Sequence, residues 1–318
     1  MYKSEVKGKG GIVARVVAKS CNVDKPESVI CTFELEYHRF IHSELITHRL
    51  FSRNAMSSRA VPIKKMIEQV RSNPAIPIHW GRNQAGMQAE EELNGEKLHA
   101  VKDEWDIAAS CASDSSEIMA NCGAHKQIVN RILEPYQMMK TVVTATEFDN
   151  FFWLRCHTDA QPEIKELADC MYKAFQEADT ESLKDGEWHT PYVDHFRASD
   201  GDAFLEYHSN GIGVSVDEAL KVSASCCAQV SYRLLDSSLD KALKIYDQLV
   251  ESKPVHASPF EHQAKPIPSF AEAEGVTQMW PEGVTHMDRN YSYWSGNFKG
   301  WIQHRQLIPD NACWEYKE

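Results

Sequence analysis

The sequence predicts a mixed α/β fold, and three stretches carry that expectation. Residues 29–37, VICTFELEY, set Val29, Cys31, Phe33, Leu35 and Tyr37 at every second position with mostly polar partners between them, the period of a half-buried strand. Residues 162–178 open with Pro162 and Glu163 and place Ile164, Leu167, Ala168, Met171, Ala174 and Phe175 on one helical stripe. Residues 238–252, SLDKALKIYDQLVES, follow a serine and aspartate start signal into a second helical pattern.

The other elements follow in chain order. The apolar run 11–18, GIVARVVA, is read as a strand. In 38–50, Phe40, Ile41, Leu45 and Leu50 are spaced for a helix, so the arginine-rich stretch behind them begins on or just after a helical turn. Residues 96–136 are helical in composition and divide into two helices at a break near Gly123, with Pro135 ending the second. Residues 179–222, richer in Gly, Asp, Ser and His, read as a long connection with little regular structure. No internal repeat or low-complexity tract interrupts the chain.

Composition narrows the function classes. The 318 residues suffice for one large domain or two ordinary ones, and 42% hydrophobic residues can fill a core. A formal charge of −12 argues against coating nucleic acid, which needs a surplus of Lys and Arg along a face. Nothing near Met1 has the form of a secretory signal. No stretch approaches the roughly 18 apolar residues that cross a bilayer, so no membrane partner and a cytoplasmic location are expected. The nine cysteines include no CxxC pair and read as reduced thiols.

Against that acidity, residues 47–60, THRLFSRNAMSSRA, concentrate Arg49, Arg53 and Arg59 with His48, Thr47, Ser52, Ser57 and Ser58. Guanidinium forks and short hydroxyls suit carboxylate or phosphate, so a small anionic ligand is expected. The same cluster also reads as a helix end with surface ion pairs. His42 and His48 flank Glu44, but no third ligand stands at metal spacing, and no metal is expected.

Three stretches together resemble the flavin-dependent thymidylate synthases. Thr47, His48 and Arg49, then seven residues, then Ser57, Ser58 and Arg59, keep the spacing of that family's Arg-His-Arg and Ser-x-Arg signature. Asn150, Arg155, Ala160, Gln161, Glu163 and Ile164 are similar to its Asn-x-x-x-x-Arg and Ala-Gln-x-Glu-Ile elements. The run CCAQVSYR, followed by His256, Ser258, Pro259, Phe260, Glu261 and His262, resembles its Ala-Arg-x-Ser-Tyr and Pro-Phe-Glu-His elements. In the family this last element precedes the arginine signature, whereas here it follows. The resemblance therefore implies a circularly permuted fold in a single domain over 1–318, with 179–222 as the connection; a tandem of two unrelated domains is the alternative. Departures from the pattern are Thr47, Ala55, Ala60, Asp159 and Gln229. Thr144 and Thr146 stand where the family tends to carry Asn and Arg near the flavin.

The resemblance implies FAD as cofactor, NADPH and methylenetetrahydrofolate as co-substrates, dUMP or a related pyrimidine nucleotide as substrate, and a homotetramer with shared sites. By the same carry-over, Arg155 stabilises charge developing on the pyrimidine and binds it. Ser57, Ser58, Arg59 and Arg131 take the nucleotide phosphate, and His48, Arg49, Ser52, Asn150, His256 and Ser258 bind the flavin. Alternatives stay open: a pyrimidine-nucleotide C5 hydroxymethylase, or a silent nucleotide-binding relative. Arg155 also reads as a structural arginine packed on Phe151, Phe152 and Trp153, and His256 and His262 as turn and cap residues. Trp280, Trp294 and Trp301 read as core or interface anchors first and as a stacking platform second.

Overall fold

A computed structural model describes residues 2–86, 88–197, 204–231, 235–268 and 280–316. At its centre β1 (Ser4–Lys7), β2 (Val13–Asn22), β3 (Lys25–His38), β4 (Ser52–Ala55) and β5 (Met138–Ala145) form an antiparallel sheet in the order β1-β2-β3-β5-β4. A sixth strand, β6 (Glu181–Leu183), pairs in parallel with the far end of β2. The expected strand 11–18 starts two residues ahead of β2 and stops four short of its end, and the expected strand 29–37 lies within β3, which extends it at both ends.

The helices are α1 (His42–Leu45), α2 (Ile63–Ser72), α3 (Gly95–Asn121), α4 (Lys126–Val129), α5 (Asp149–Arg155), α6 (Pro162–Glu177), α7 (Val216–Ala228) and α8 (Leu239–Glu251). The stripe expected over 162–178 is α6, and the pattern at 238–252 is α8. Two expectations need correction. The helical spacing of 38–50 yields only a 3-10 turn and the four-residue α1, because the chain must turn back into β4. The break near Gly123 is real, with φ of +86° there, but the helix after it stops at Val129, ahead of Pro135, which sits in a separate 3-10 turn.

A third correction concerns 179–222. Besides β6 it holds β7 (Asp194–Phe196), β8 (Glu206–Ser209) and β9 (Ile212–Val214), an antiparallel three-stranded sheet, and then enters α7 through a capping box between Ser215 and Glu218. The strands are three or four residues long, too short for a period-2 pattern to stand out. Behind α8, the 3-10 turn Ser258–Glu261 leads to β10 (Ala264–Pro266), β11 (His286–Met287), β12 (Tyr293–Ser295), β13 (Phe298–Lys299) and β14 (Trp301–Gln303).

Both faces of β3 are buried. On one, Cys31, Phe33, Leu35 and Tyr37 pack with Phe148, Phe151 and the Ile164, Leu167 and Met171 stripe of α6, each buried side chain contributing about 1.5–3 kcal/mol. Lys19, on the neighbouring strand, donates to the Phe175 and Ala178 carbonyls at 2.8 and 3.2 Å, capping the C-terminus of α6 with a cation. On the other face, Ile30 joins Trp188, Val222, Phe298 and Trp301 in a second core. Trp301 is thus the core anchor expected of it.

That second face carries polar groups as well, joined end to end. Ser20 Oγ lies 2.9 Å from His189 Nδ1, His189 Nε2 lies 2.9 Å from Thr32 Oγ1, Thr32 Oγ1 lies 2.7 Å from Thr144 Oγ1, and Thr144 Oγ1 lies 2.8 Å from His262 Nδ1. All five residues are buried. Burial holds the His262 imidazole down at about 3 and that of His189 well below its ordinary range.

A pH dependence follows. Unfolded, both histidines titrate near pH 6.5, so below that value the unfolded chain binds more protons than the folded one. Their contribution is fully present above about pH 6.5 and is lost as the pH falls toward about 3. Urea unfolding between pH 7.5 and 4.5 is expected to show stability falling below pH 6.5, by up to about 1.4 kcal/mol per pH unit for each histidine. A flat profile would contradict neutral burial.

Candidate functional site

The arginine stretch folds as a tight turn between α1 and β4. Thr47 N–H and His48 N–H donate to the carbonyls of Glu44 and Leu45, and Phe51 N–H to that of His48. Side chains from other elements hold the carbonyls in between. Arg53, on β4, donates through Nη1 to Ile46 O at 2.7 Å and His48 O at 3.2 Å. Asn297 donates through Nδ2 to Leu50 O at 2.8 Å.

Arg155, the last residue of α5, closes over this turn. Its Nε–H donates to His48 Nε2 at 3.0 Å, Nη1 to Glu44 Oε2 at 3.1 Å, and Nη2 reaches Thr47 Oγ1 at 3.5 Å. The aromatic side chains around it pack mainly on one another and on His48, whose ring meets Phe151 edge-on at 4.8 Å. Because His48 accepts at Nε2, its proton belongs on Nδ1 and the ring is neutral. Burial first, then the charges of Arg155 and Arg53, bring it down to about 4. His42 is likewise engaged, through Nδ1 with the Tyr37 hydroxyl at 2.8 Å.

The remaining expected residues fall into separate groups. Ser52 is buried, and its hydroxyl meets the amides of Asn297 and Gln303 at 3.1–3.3 Å. β4 turns this hydroxyl inward, while Arg49 and Leu50 are exposed. Ser58 is buried too and donates to Glu134 Oε1 at 2.9 Å, the oxygen that also receives Arg131 at 2.9 Å and Arg39 at 3.0 Å. Ser57 Oγ accepts from Arg59 N–H at 3.3 Å. Arg49, Arg59, Asn150, His256 and Ser258 are exposed. Among the described residues Arg49 has no hydrogen-bonding or ionic partner.

The Pro-Phe-Glu-His element packs against β4. Phe260 is fully buried, Glu261 pairs with Arg305, and His262 ends the buried polar chain at Thr144. Its inward residues are therefore structural, while His256 and Ser258 face outward. Tyr232 and Arg233, at the end of CCAQVSYR, lie outside the described residues. Sequence reading missed Glu44, Arg39, Glu134, Asn297 and Gln303. Only Glu44, one helical turn before His48, left a local signal.

A family model described as thymidylate synthase complementing protein, Thy1, matches residues 13–179. That span runs from the start of β2 to just past α6; it takes in the arginine turn and Arg155 and excludes the Pro-Phe-Glu-His element. No curated protein matches. Two solved structures of a UMP/dUMP methylase, PolB from Streptomyces cacaoi, one bound with 5-Br dUMP and one with 5-Br UMP, are similar at 15% identity and a TM-score of 0.44. The likeness covers 54% of this chain in both, and 93% and 92% of theirs.

The Arg155–His48 contact is testable by itself. In Arg155→Ala the imidazole of His48 loses its nearest positive charge but keeps its burial, so its pKa is expected to rise from about 4 while staying below 6.5. Histidine ring-proton NMR titration measures this. An unmoved value would mean that the guanidinium does not sit against the ring in solution.

Proposed function

Since the chain belongs to the Thy1 family of thymidylate synthase complementing proteins, we propose that it is a flavin-dependent thymidylate synthase transferring a one-carbon unit to C5 of a pyrimidine deoxynucleotide, dUMP. One observation carries the reading. Arg155 and His48, 107 residues apart in two different family-like elements, meet at 3.0 Å inside the span that the family model matches.

The residues at the turn fit an anionic cofactor and substrate. Among the described residues Arg49 has no ionic partner, and it stands on a turn whose carbonyls are held from outside, so a phosphate would gain a donor for which no carboxylate competes. A bound FAD would supply the hydride chemistry, with NADPH as its reductant and methylenetetrahydrofolate as the carbon donor. Arg155 has five N–H donors, of which Glu44, His48 and Thr47 engage three, leaving two for a pyrimidine oxygen or ring nitrogen on which charge develops. Neutral His48 and anionic Glu44 keep that fork oriented. Arg59, Arg131, Ser57 and Ser58 are assigned to the nucleotide phosphate, and Asn150, His256 and Ser258 to the flavin. For Arg131 and Ser58, binding requires the phosphate to compete with Glu134.

The chain is read as circularly permuted. The packing of Ser258–Glu261 on β4 and the bond from Thr144 to His262 support this, since they return the displaced element to the sheet beside the arginine turn. It is also read as a homotetramer with shared sites. On the turn and on α5, Ile46, Leu50, Trp153 and Leu154 are 44, 40, 74 and 42% exposed, apolar side chains that a second copy would cover. Among the described residues no helix is long and apolar enough to cross a membrane.

Two experiments test the reading. Arg155→Lys keeps the charge and loses the planar fork, and is expected to retain the flavin spectrum while single-turnover flavin oxidation with dUMP and methylenetetrahydrofolate slows by roughly 10² to 10³. Normal turnover would remove Arg155 from the chemistry. Trp153→Glu is expected to shift sedimentation from tetramer to smaller species; a wild-type protein that sediments as a monomer with flavin bound would contradict shared sites.

A further inference from the structure

The turn that carries Arg49 is held from three directions, and one hold comes from outside the span that the family model matches. The hairpin of β12 and β13 closes through Gly296 and Asn297, with Ser295 opposite Phe298. Gly296 has φ of +59°, which a two-residue hairpin turn asks of glycine, and a Cβ there would lie 2.7 Å from Gln303 Oε1. This turn directs Asn297 at the other. Its Nδ2 donates to Leu50 O at 2.8 Å and to Ser52 Oγ at 3.1 Å, while its Oδ1 accepts from Gln303 Nε2 at 2.9 Å. The carboxamide is thereby oriented with its donors toward Leu50. Two residues further on, Lys299 N–H donates to Thr146 Oγ1 at 2.9 Å, tying the same hairpin to the loop ahead of α5.

Arg53 fixes the carbonyls of Ile46 and His48, and Arg155 fixes the imidazole of His48. Without Asn297 the Leu50 carbonyl loses its side-chain donor, and one of the holds on the segment between Arg49 and β4 is removed. Arg49 itself, among the described residues, has no partner to hold it.

We propose that Asn297 is a positioning residue, which orients Arg49 toward an anionic ligand by clamping the Leu50 carbonyl. The inference rests on the flavin reading above, in that the anion is taken to be the cofactor pyrophosphate. A pre-oriented donor binds an anion more tightly than one that must be ordered on binding.

The test is a double-mutant cycle on FAD affinity, read by quenching of flavin fluorescence in wild type, Arg49→Ala, Asn297→Ala and the double variant, with thermal melting run beside each. Asn297→Ala is expected to weaken FAD binding about tenfold, and Arg49→Ala at least as much. In the Arg49→Ala background, removing Asn297 is expected to cost nothing further. Asn297→Asp, which keeps the shape but lacks the N–H donors and adds a negative charge, is expected to weaken binding at least as much as Asn297→Ala. Fully additive losses, meaning that Asn297 acts on the fold at large, would overturn the proposal, as would an unchanged affinity in Asn297→Ala. Wild-type protein with no affinity for FAD would instead defeat the flavin reading itself, so the two failures are distinguishable.

Discussion

The buried polar chain from Ser20 through His189, Thr32 and Thr144 to His262 is the constraint on which the rest depends. It crosses three strands of the central sheet and joins them to two residues from the C-terminal half. Each link needs both threonines on the same face of the sheet, so the chain specifies register. The two cores on either side of β3 can then be packed by segments far apart in sequence.

The arginine turn shows the opposite use of polar groups. Along the buried chain polar side chains meet one another, whereas at the turn carbonyls are held by side chains from other elements and Arg49 is left facing solvent. Burial first, then the charges of Arg155 and Arg53, lower the affinity of His48 for a proton, and Glu44 pairs with Arg155. The result is a local positive site on a chain of net charge −12. An anion meets that field only at short range, because screening limits surface charges to about 8–10 Å.

Much of the central fold was legible because it is written in local periods. The alternation in 29–37 and the stripe in 162–178 both survive as one face of the sheet and the helix covering it. What alternation could not reveal is that Thr32, on the supposedly wet face, is buried, because its partners lie at positions 144 and 189. The short strands β7, β8 and β9 were missed for a related reason: three residues give no period. At the site, the spacing within 47–59 and that between Asn150 and Arg155 carried the resemblance, while the meeting of His48 with Arg155 came from the fold. The inward turn of Ser52 was not readable, since it depends on Asn297 and Gln303, whose sequence surroundings resemble any polar loop. Glu134, which draws Ser58, Arg131 and Arg39 to one oxygen, was hidden in a stretch that read simply as the end of a helix.

The bond from Asn297 to the Leu50 carbonyl spans 247 residues, and that distance has a meaning in time. A ribosome adds about 5–20 residues per second, so the arginine turn is made roughly 10–50 s before the side chain that clamps it. During that interval the neighbouring strands β3 and β5 can already pair, while the Leu50 carbonyl waits in water. The turn is therefore clamped only after the β12–β13 hairpin has been made, and a nascent chain carries its cation-bearing loop unclamped until translation has passed Asn297.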